Sequence, residues 1–222
     1  MRLLLVALLG CGAQSTPQTV TVTMPSSTTR TPPSPEQPFI DAGCTRAQDA
    51  LDCSKSNIRG IDACRFGLRV LDVKLDPPAP VAECYVDPVK VRHALHPSRC
   101  GLGVIVFAAT QTGIVRITSP KDLAAAFAPV TTPDEAIAFA QLETGDDRMK
   151  DLGQTDYGKP MQTVPIANGS AWRFDRFHYP GCGCEHSIDT MTYLVERDGA
   201  VTLVARAPAR VNADMSGTCM DY

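Results

Sequence analysis

The sequence has little of what marks several large classes of protein. Its lysine and arginine residues are not clustered and its formal net charge is −3, which argues against a nucleic-acid partner because no basic patch is present. The apolar run at residues 3–9 is far shorter than the roughly 20 residues that a membrane-spanning helix needs. That run therefore requires another explanation.

Sequence motifs of catalysis are missing as well. There is no Gly-x-Ser-x-Gly nucleophile turn, no His-Glu-x-x-His metal motif and no glycine-rich loop for phosphate. Four acidic residues do not follow the order of an EF-hand calcium loop: Asp146, Asp147, Asp151 and Asp156. We therefore predict no catalytic residue and no cofactor, and we expect a function that is not enzymatic.

What is present begins with an export signal. Arg2 is followed by the apolar run, the small residue Gly10 and then Cys11, which is the order of a secretory signal. The segment Leu8-Leu9-Gly10-Cys11 resembles the lipobox of bacterial lipoproteins. This resemblance covers these residues alone and implies cleavage before Cys11 and acyl chains, such as palmitate, on its sulfur and amine. Several acyl chains on one residue anchor a protein stably to a membrane.

The resemblance also implies a location. A lipoprotein is anchored in the bacterial cell envelope and faces the periplasm or the exterior. Residues 1–10 are then the signal peptide. Residues 11–38 are the lipidated cysteine and a tether rich in serine, threonine and proline, which has too little apolar surface to offset the entropy of ordering and is predicted to be disordered.

The cysteine count is the next most informative feature. Apart from Cys11, an even set of eight remains in a chain with an export signal, which predicts four disulfides. They are Cys44, Cys53, Cys64, Cys84, Cys100, Cys182, Cys184 and Cys219. Spacing does not select among the possible pairings, but Cys182 and Cys184 are too close to pair comfortably, and Cys219 is a natural partner for one of them. The density of cysteines predicts a disulfide-rich subdomain at residues 39–90.

Two helices are predicted from their capping residues. Ser119-Pro120 and Thr132-Pro133-Asp134-Glu135 predict helices over residues 120–128 and 133–143, the second with a capping box and with Gly145 as its stop. A turn or two of helix is also expected over residues 45–51. These Ser/Thr-Pro starts and alanine-rich helices resemble those of lipoproteins from high-GC Gram-negative bacteria, a resemblance that implies no activity.

The remaining apolar patterns predict strands. They cover residues 68–75, 81–86, 101–108, 113–118, 162–167, 171–179, 190–197 and 200–206. Asn168-Gly169 and Asp198-Gly199 are typical of hairpin turns. The predicted fold class is α+β, in which an antiparallel sheet of four to six strands packs on the two short consecutive helices. This α+β domain is expected over residues 91–222, after the disulfide-rich subdomain.

One segment has chemical potential. Cys182, Cys184 and His186 could bind zinc or monovalent copper with His178 as the fourth ligand, and Cys182 could alternatively undergo thiol–disulfide exchange. An exported compartment and an even cysteine count favour structural disulfides and exposed histidines instead. We therefore predict no metal site and keep this segment, the 182–186 loop, as the alternative.

A second histidine pair has the spacing of a helical metal site. His93 and His96 are three residues apart, but Pro97 opposes a helix and no third ligand is adjacent, so surface histidines are expected. The sequence as a whole predicts a lipid-anchored envelope protein that binds a ligand or scaffolds another envelope protein. The alternative is an envelope metal-binding or thiol-redox protein that uses the 182–186 loop.

Overall fold

The computed structural model describes residues 34–87, 94–97, 102–145, 165–178 and 187–211, which fold mostly as antiparallel sheet with few helices. Their strands are β1 (Thr45–Ala47), β2 (Ala50–Asp52), β3 (Arg69–Leu71), β4 (Val81–Val86), β5 (His96–Pro97), β6 (Gly103–Thr110), β7 (Gly113–Ile117), β8 (Ile166–Asn168), β9 (Ala171–His178), β10 (Ser187–Glu196) and β11 (Val201–Val211). Their helices are α1 (Gln37–Asp41), α2 (Pro120–Phe127) and α3 (Pro133–Thr144). None of these helices is long and apolar enough to cross a membrane.

The strands form three antiparallel sheets within the described residues. Strands β1 and β2 make a small hairpin sheet, and a five-stranded sheet has the order β3-β4-β6-β5 with β7 also paired to β6. The four-stranded sheet has the order β11-β10-β9-β8, which confirms the antiparallel arrangement predicted for the C-terminal half. The strands predicted to share one sheet are thus divided between two large ones.

Strands β4 and β6 lie at the centre of the fold because both of their faces are buried. Along β6, Val104, Val106 and Ala108 join a core that includes residues of α2, α3, β9 and β10. The alternate residues Ile105 and Phe107 join a second core with side chains of α1 and of the cysteine-rich segment. The continuous apolar run of β6 is the pattern that a strand buried on both faces needs.

Helices α2 and α3 begin at the predicted prolines. Ser119 Oγ accepts a hydrogen bond from the Asp122 backbone N–H at 3.2 Å, and Thr132 and Glu135 form a full capping box. Gly145 ends α3 with a φ of 69°, a left-handed conformation that glycine adopts without steric cost. Of the apolar residues expected to form the core face of these helices, Ile137 is partly buried. The others are buried, namely Leu123, Phe127, Phe139, Ala140 and Leu142.

The expectation of a helix over residues 45–51 is wrong, because these residues form the β1–β2 hairpin. Gln48 turns the chain with a φ of 51°, and a disulfide joins Cys44 to Cys53 across the open end, with a Cα–Cα distance of 4.2 Å. A helix would rise about 1.5 Å per residue and hold those two positions far apart. The disulfide is therefore compatible with a hairpin and not with a helix.

The strand predicted over residues 68–75 is also shorter than expected. Regular pairing with β4 ends at Leu71, which lies opposite Val81, because Pro80 precedes β4 and proline has no N–H to donate. Residues 72–75 follow without a strand partner in the described part of the chain. This unpaired continuation of β3 becomes important for the candidate site.

Candidate functional site

The structure describes one residue of the predicted metal set. His178 is the last residue of β9 and lies opposite Asp189 of β10; its side chain is half-buried rather than exposed. Cys182, Cys184 and His186 lie outside the described residues, as do Cys11, Cys100 and Cys219. Among the residues that are described, no group of three or more His, Cys, Asp or Glu side chains is arranged to hold a metal ion.

The end of the four-stranded sheet next to His178 is rich in buried charge. Asp189 is 7% exposed and accepts a hydrogen bond from Arg206 Nε at 2.7 Å. Arg176 is 1% exposed, donates to the Asp175 carbonyl oxygen at 3.0 Å and lies 4.6 Å from the centre of the Phe174 ring. An arginine stays charged in proteins, so this end of the sheet holds cationic groups where β9 and β10 flank the 182–186 loop.

The C-terminal end of α3 carries a partly buried carboxyl group, that of Glu143. Burial raises the pKa of the Glu143 carboxyl from 4.5 to about 7, and its Oε1 atom is buried without a hydrogen bond to any residue that the structure describes. A negative charge near a helix C-terminus also interacts unfavourably with the helix dipole. Because Glu143 lies close to Gly145, the predicted end of α3, the sequence alone could have indicated that this carboxylate is destabilised.

His96 lies beside this helix end and corrects a prediction. The imidazole is only 8% exposed, not a surface group. It packs so closely that a Cβ on Gly145 would lie 2.6 Å from its Cε1 atom. His93 and the four aspartates considered for calcium lie outside the described residues.

A feature that the sequence did not reveal is a groove beside β3, which we call the β3 groove. It has a volume of about 770 Å³. It is lined by Ser34, Pro35, Glu36, Val70, Leu71, Asp72, Val73, Lys74, Leu75, Pro78, Ala79 and Pro80. Valine, leucine and proline side chains dominate this lining, and the volume is within the range of about 300–1,000 Å³ typical of ligand sites.

Three charged residues line the β3 groove, and two of them have partners. Lys74 Nζ lies 2.7 Å from Asp134 Oδ2 of α3, a hydrogen bond that raises the pKa of Lys74. Glu36 Oε2 lies 2.6 Å from Arg46 Nε. Asp72 is exposed and forms no salt bridge with any residue in the described ranges. Asp72 interacts electrostatically with Lys74, and its exposed carboxylate is the charged group of the groove that no salt bridge in the described ranges occupies.

The β3 groove has a traceable sequence cause. Pro77-Pro78-Ala79-Pro80 stops the pairing of β3 with β4 and leaves residues 72–75 without a strand partner in the described part of the chain. Their exposure alternates as in a strand, with Asp72 and Lys74 exposed and Val73 and Leu75 more buried. The sequence showed where the strand would end, but not that residues 34–36 would form the facing wall.

The described cysteines pair as two disulfides, Cys44–Cys53 and Cys64–Cys84. These four residues belong to the eight that were predicted to be oxidised. Comparisons with protein-family models, curated proteins and solved structures find no match. Fold and site define a class, a disulfide-bonded, mostly antiparallel protein with an apolar groove at a sheet edge.

Proposed function

We propose that this protein is a lipid-anchored binding or scaffolding protein of the bacterial cell envelope. The observation that carries the proposal is the pair of disulfides built into the second core, where Cys44 and Cys53 are each 2% exposed and Cys84 is 1% exposed. Disulfides of this kind persist in oxidising, exported compartments. The lipobox-like segment ending at Cys11 supplies the anchor, and residues 12–33 supply the tether. Residues 34–38, which were also predicted as tether, lie in the folded part, because residues 34–36 line the β3 groove and α1 begins at Gln37.

The geometry supports a binding role for the folded part. The β3 groove offers an apolar surface of ligand-site size, and Lys74 and Asp134 fix one rim. We take residues 39–90 and 91–222 as the two parts of the fold. Helix α2 contacts β7, while α3 contacts β5, β10 and β11, which supports the packing of antiparallel sheet on two consecutive helices.

Metabolic labelling tests the anchor. The full chain and a Cys11→Ser variant are expressed in a bacterial host with a palmitate analogue that can be detected after gel electrophoresis. Label on the unaltered chain and none on Cys11→Ser is the expected result, together with extraction of the unaltered chain by detergent only. An unlabelled, freely soluble chain would overturn the proposal.

The second candidate is a metal-binding or thiol-redox protein that uses Cys182, Cys184, His186 and His178. The observation that favours it is the position of His178 beside the buried Asp189 at the base of the 182–186 loop. An intact mass after alkylation without reductant distinguishes the two candidates. Fully oxidised cysteines without bound metal support the binding protein; alkylated Cys182 and Cys184, or the added mass of zinc or copper, support the alternative.

A further inference from the structure

We propose that the β3 groove binds an extended peptide segment of a partner protein, which adds as a strand beside residues 70–75 and places a lysine or arginine near Asp72. This inference rests on the binding role proposed above and specifies its ligand. Three observations carry it: the direction of the backbone groups, the lining of the groove and its charge.

The backbone groups that β3 presents on its edge away from β4 follow from the alternation of a strand. Leu68 and Leu51 exchange two hydrogen bonds, of 2.9 and 2.8 Å, on the side of the chain away from β4. Because the N–H and C=O groups of every second residue point to the same side, Val70, Asp72 and Lys74 present theirs on this side too.

Those groups are not used within the described part of the chain. Within the described residues, β3 makes no backbone pairing on this side after Leu68, and residues 72–75 make no backbone hydrogen bond there. The hairpin strand β2 therefore occupies the first position of an edge that remains open further along. An added peptide would continue the line of β2 and satisfy these groups, as in strand addition at sheet edges.

The lining of the groove suits a peptide with small apolar side chains. Val73 is partly buried and Leu75 is buried. Prolines at positions 35, 78 and 80 also contribute to the lining. Residues 72–75 extend for about 13 Å at roughly 3.3 Å per residue, which matches a strand of four residues. Alternating valine or threonine side chains would cover this surface and leave the polar rim accessible.

The charge of the groove indicates which charge the bound peptide should carry. Lys74 forms a salt bridge with Asp134, and Glu36 forms one with Arg46. Asp72 interacts electrostatically with Lys74 but is the one charged residue of the lining that forms no salt bridge with a described residue. A basic residue opposite Asp72 would complement it. Lysine on an edge strand ordinarily discourages pairing, but the contact of Lys74 with Asp134 holds that ammonium group at the rim.

The longer edge strand β11 is less suitable for adding a strand. Its register with β10 skips Val204 and Ala209, so two bulges interrupt the edge, and Pro208 has no N–H to donate. Bulges and proline are the devices by which sheet edges avoid pairing. The β3 groove lacks them between residues 70 and 75.

Nuclear magnetic resonance titration tests the proposal. The full chain with Cys11→Ser is titrated with the peptide acetyl-Val-Thr-Val-Lys-Val-Thr-Val-amide, with the same peptide N-methylated on alternate residues, and with a glutamate in place of its lysine. We expect amide shift changes concentrated at residues 70–75, at least about tenfold weaker binding of the N-methylated peptide because its main-chain donors are removed, and weaker binding of the glutamate peptide.

Charge reversal gives a matched control. Asp72→Lys should weaken binding of the lysine peptide and strengthen binding of the glutamate peptide. Each affinity should change by about two- to fivefold, the range expected for an exposed ion pair. Asp62→Lys, an exposed carboxylate outside the groove lining, should change neither. Unchanged melting temperatures of both variants show that each is folded.

Three outcomes would overturn the proposal: no shift at residues 70–75, equal binding of the N-methylated peptide, or shifts that depend on protein concentration alone, which would identify a second copy as the occupant. The titration does not depend on the lipid anchor. Failed labelling of Cys11 therefore leaves this inference standing, and failed peptide binding leaves the anchor standing.

Discussion

Glu143 is the residue whose ionisation should be most visible in the stability of the fold. Burial raises its pKa from 4.5 to about 7, so between about pH 4.5 and 7 the unfolded chain has lost this proton while the folded chain retains it. The free energy of unfolding therefore falls as the pH rises through this interval. The contribution is fully present below about pH 4.5 and lost above pH 7.

Glu143→Gln should remove this pH dependence. Since the side chain is only half-buried, water screens part of the penalty, and we expect a gain of about 1 kcal/mol at pH 8 relative to pH 4.5, or about 2–4 °C in melting temperature. Thermal unfolding over this pH range measures it, with Glu196→Gln, an exposed glutamate, as the control. Parallel pH curves for Glu143→Gln and the unaltered chain would contradict the assignment.

At the same scale, the sequence predicted the oxidation of the four described cysteines but not their pairing. The even cysteine count, together with the predicted export signal, was sufficient to expect disulfides. The pairing of Cys44 with Cys53, and not with a cysteine of another segment, depends on the β1–β2 hairpin, which local composition at residues 45–51 did not reveal. His96 lies against Gly145 at the end of α3 through the tertiary fold, so the surroundings of this histidine could not be derived from spacing.

Among the elements, α3 depends most clearly on a single side chain. Glu135 is 4% exposed, and its Oε2 accepts hydrogen bonds from the backbone N–H groups of Thr131 at 2.5 Å and Thr132 at 2.9 Å. Glu135→Ala leaves both donors without this acceptor. We expect a loss of about 2–3 kcal/mol, since hydrogen bonds to a charged group are the stronger ones.

Chemical denaturation should rank the capping variants. Thr132→Ala, which removes the reciprocal hydrogen bond, should lower the free energy of unfolding by about 1 kcal/mol. The loss for Glu135→Gln should lie between those of Glu135→Ala and Thr132→Ala, because glutamine keeps an acceptor oxygen. Asp134→Ala in the same turn is the control and should change stability least, since its bond to Lys74 is exposed. A smaller loss for Glu135→Ala than for Thr132→Ala would show that the carboxylate does not hold the cap.

The same element shows why some structure was accessible from sequence. The start of α3 was predictable because capping residues act over a single turn. Strand β6 was predictable because burial on both faces demands a continuous apolar run. The hairpin of β1 and β2 was not, because three-residue strands have too short a pattern to be distinguished from a helical turn.

At the scale of the whole molecule, the sequence does not indicate which distant segments contact each other. The β3 groove joins residues 34–36 to residues 70–80, and no local pattern in either segment indicates the other. The two cores share β4 and β6 as a common wall, so a change in these strands affects both. The disulfide Cys64–Cys84 is attached to β4, whereas Cys44–Cys53 closes only the small hairpin.

This difference predicts unequal effects of removing the two disulfides. A cross-link stabilises mainly by restricting the unfolded chain, and the effect grows with the length of the closed loop. The sequence separations are 20 for Cys64–Cys84 and 9 for Cys44–Cys53, which correspond to about 3 and about 2.5 kcal/mol. The double variant Cys64→Ala/Cys84→Ala should therefore be less stable than Cys44→Ala/Cys53→Ala.

Thermal unfolding of the two double variants, exported to an oxidising compartment, measures this difference. All four sulfurs belong to the second core or pack against it, so lost packing is similar in kind and loop length should decide the order. We expect the variant without Cys64–Cys84 to melt about 2 °C lower than the other. If the variant without Cys44–Cys53 were instead the less stable, the hairpin of β1 and β2, which supports Leu68 at the start of the β3 groove edge, would be a principal contributor to the stability of the fold.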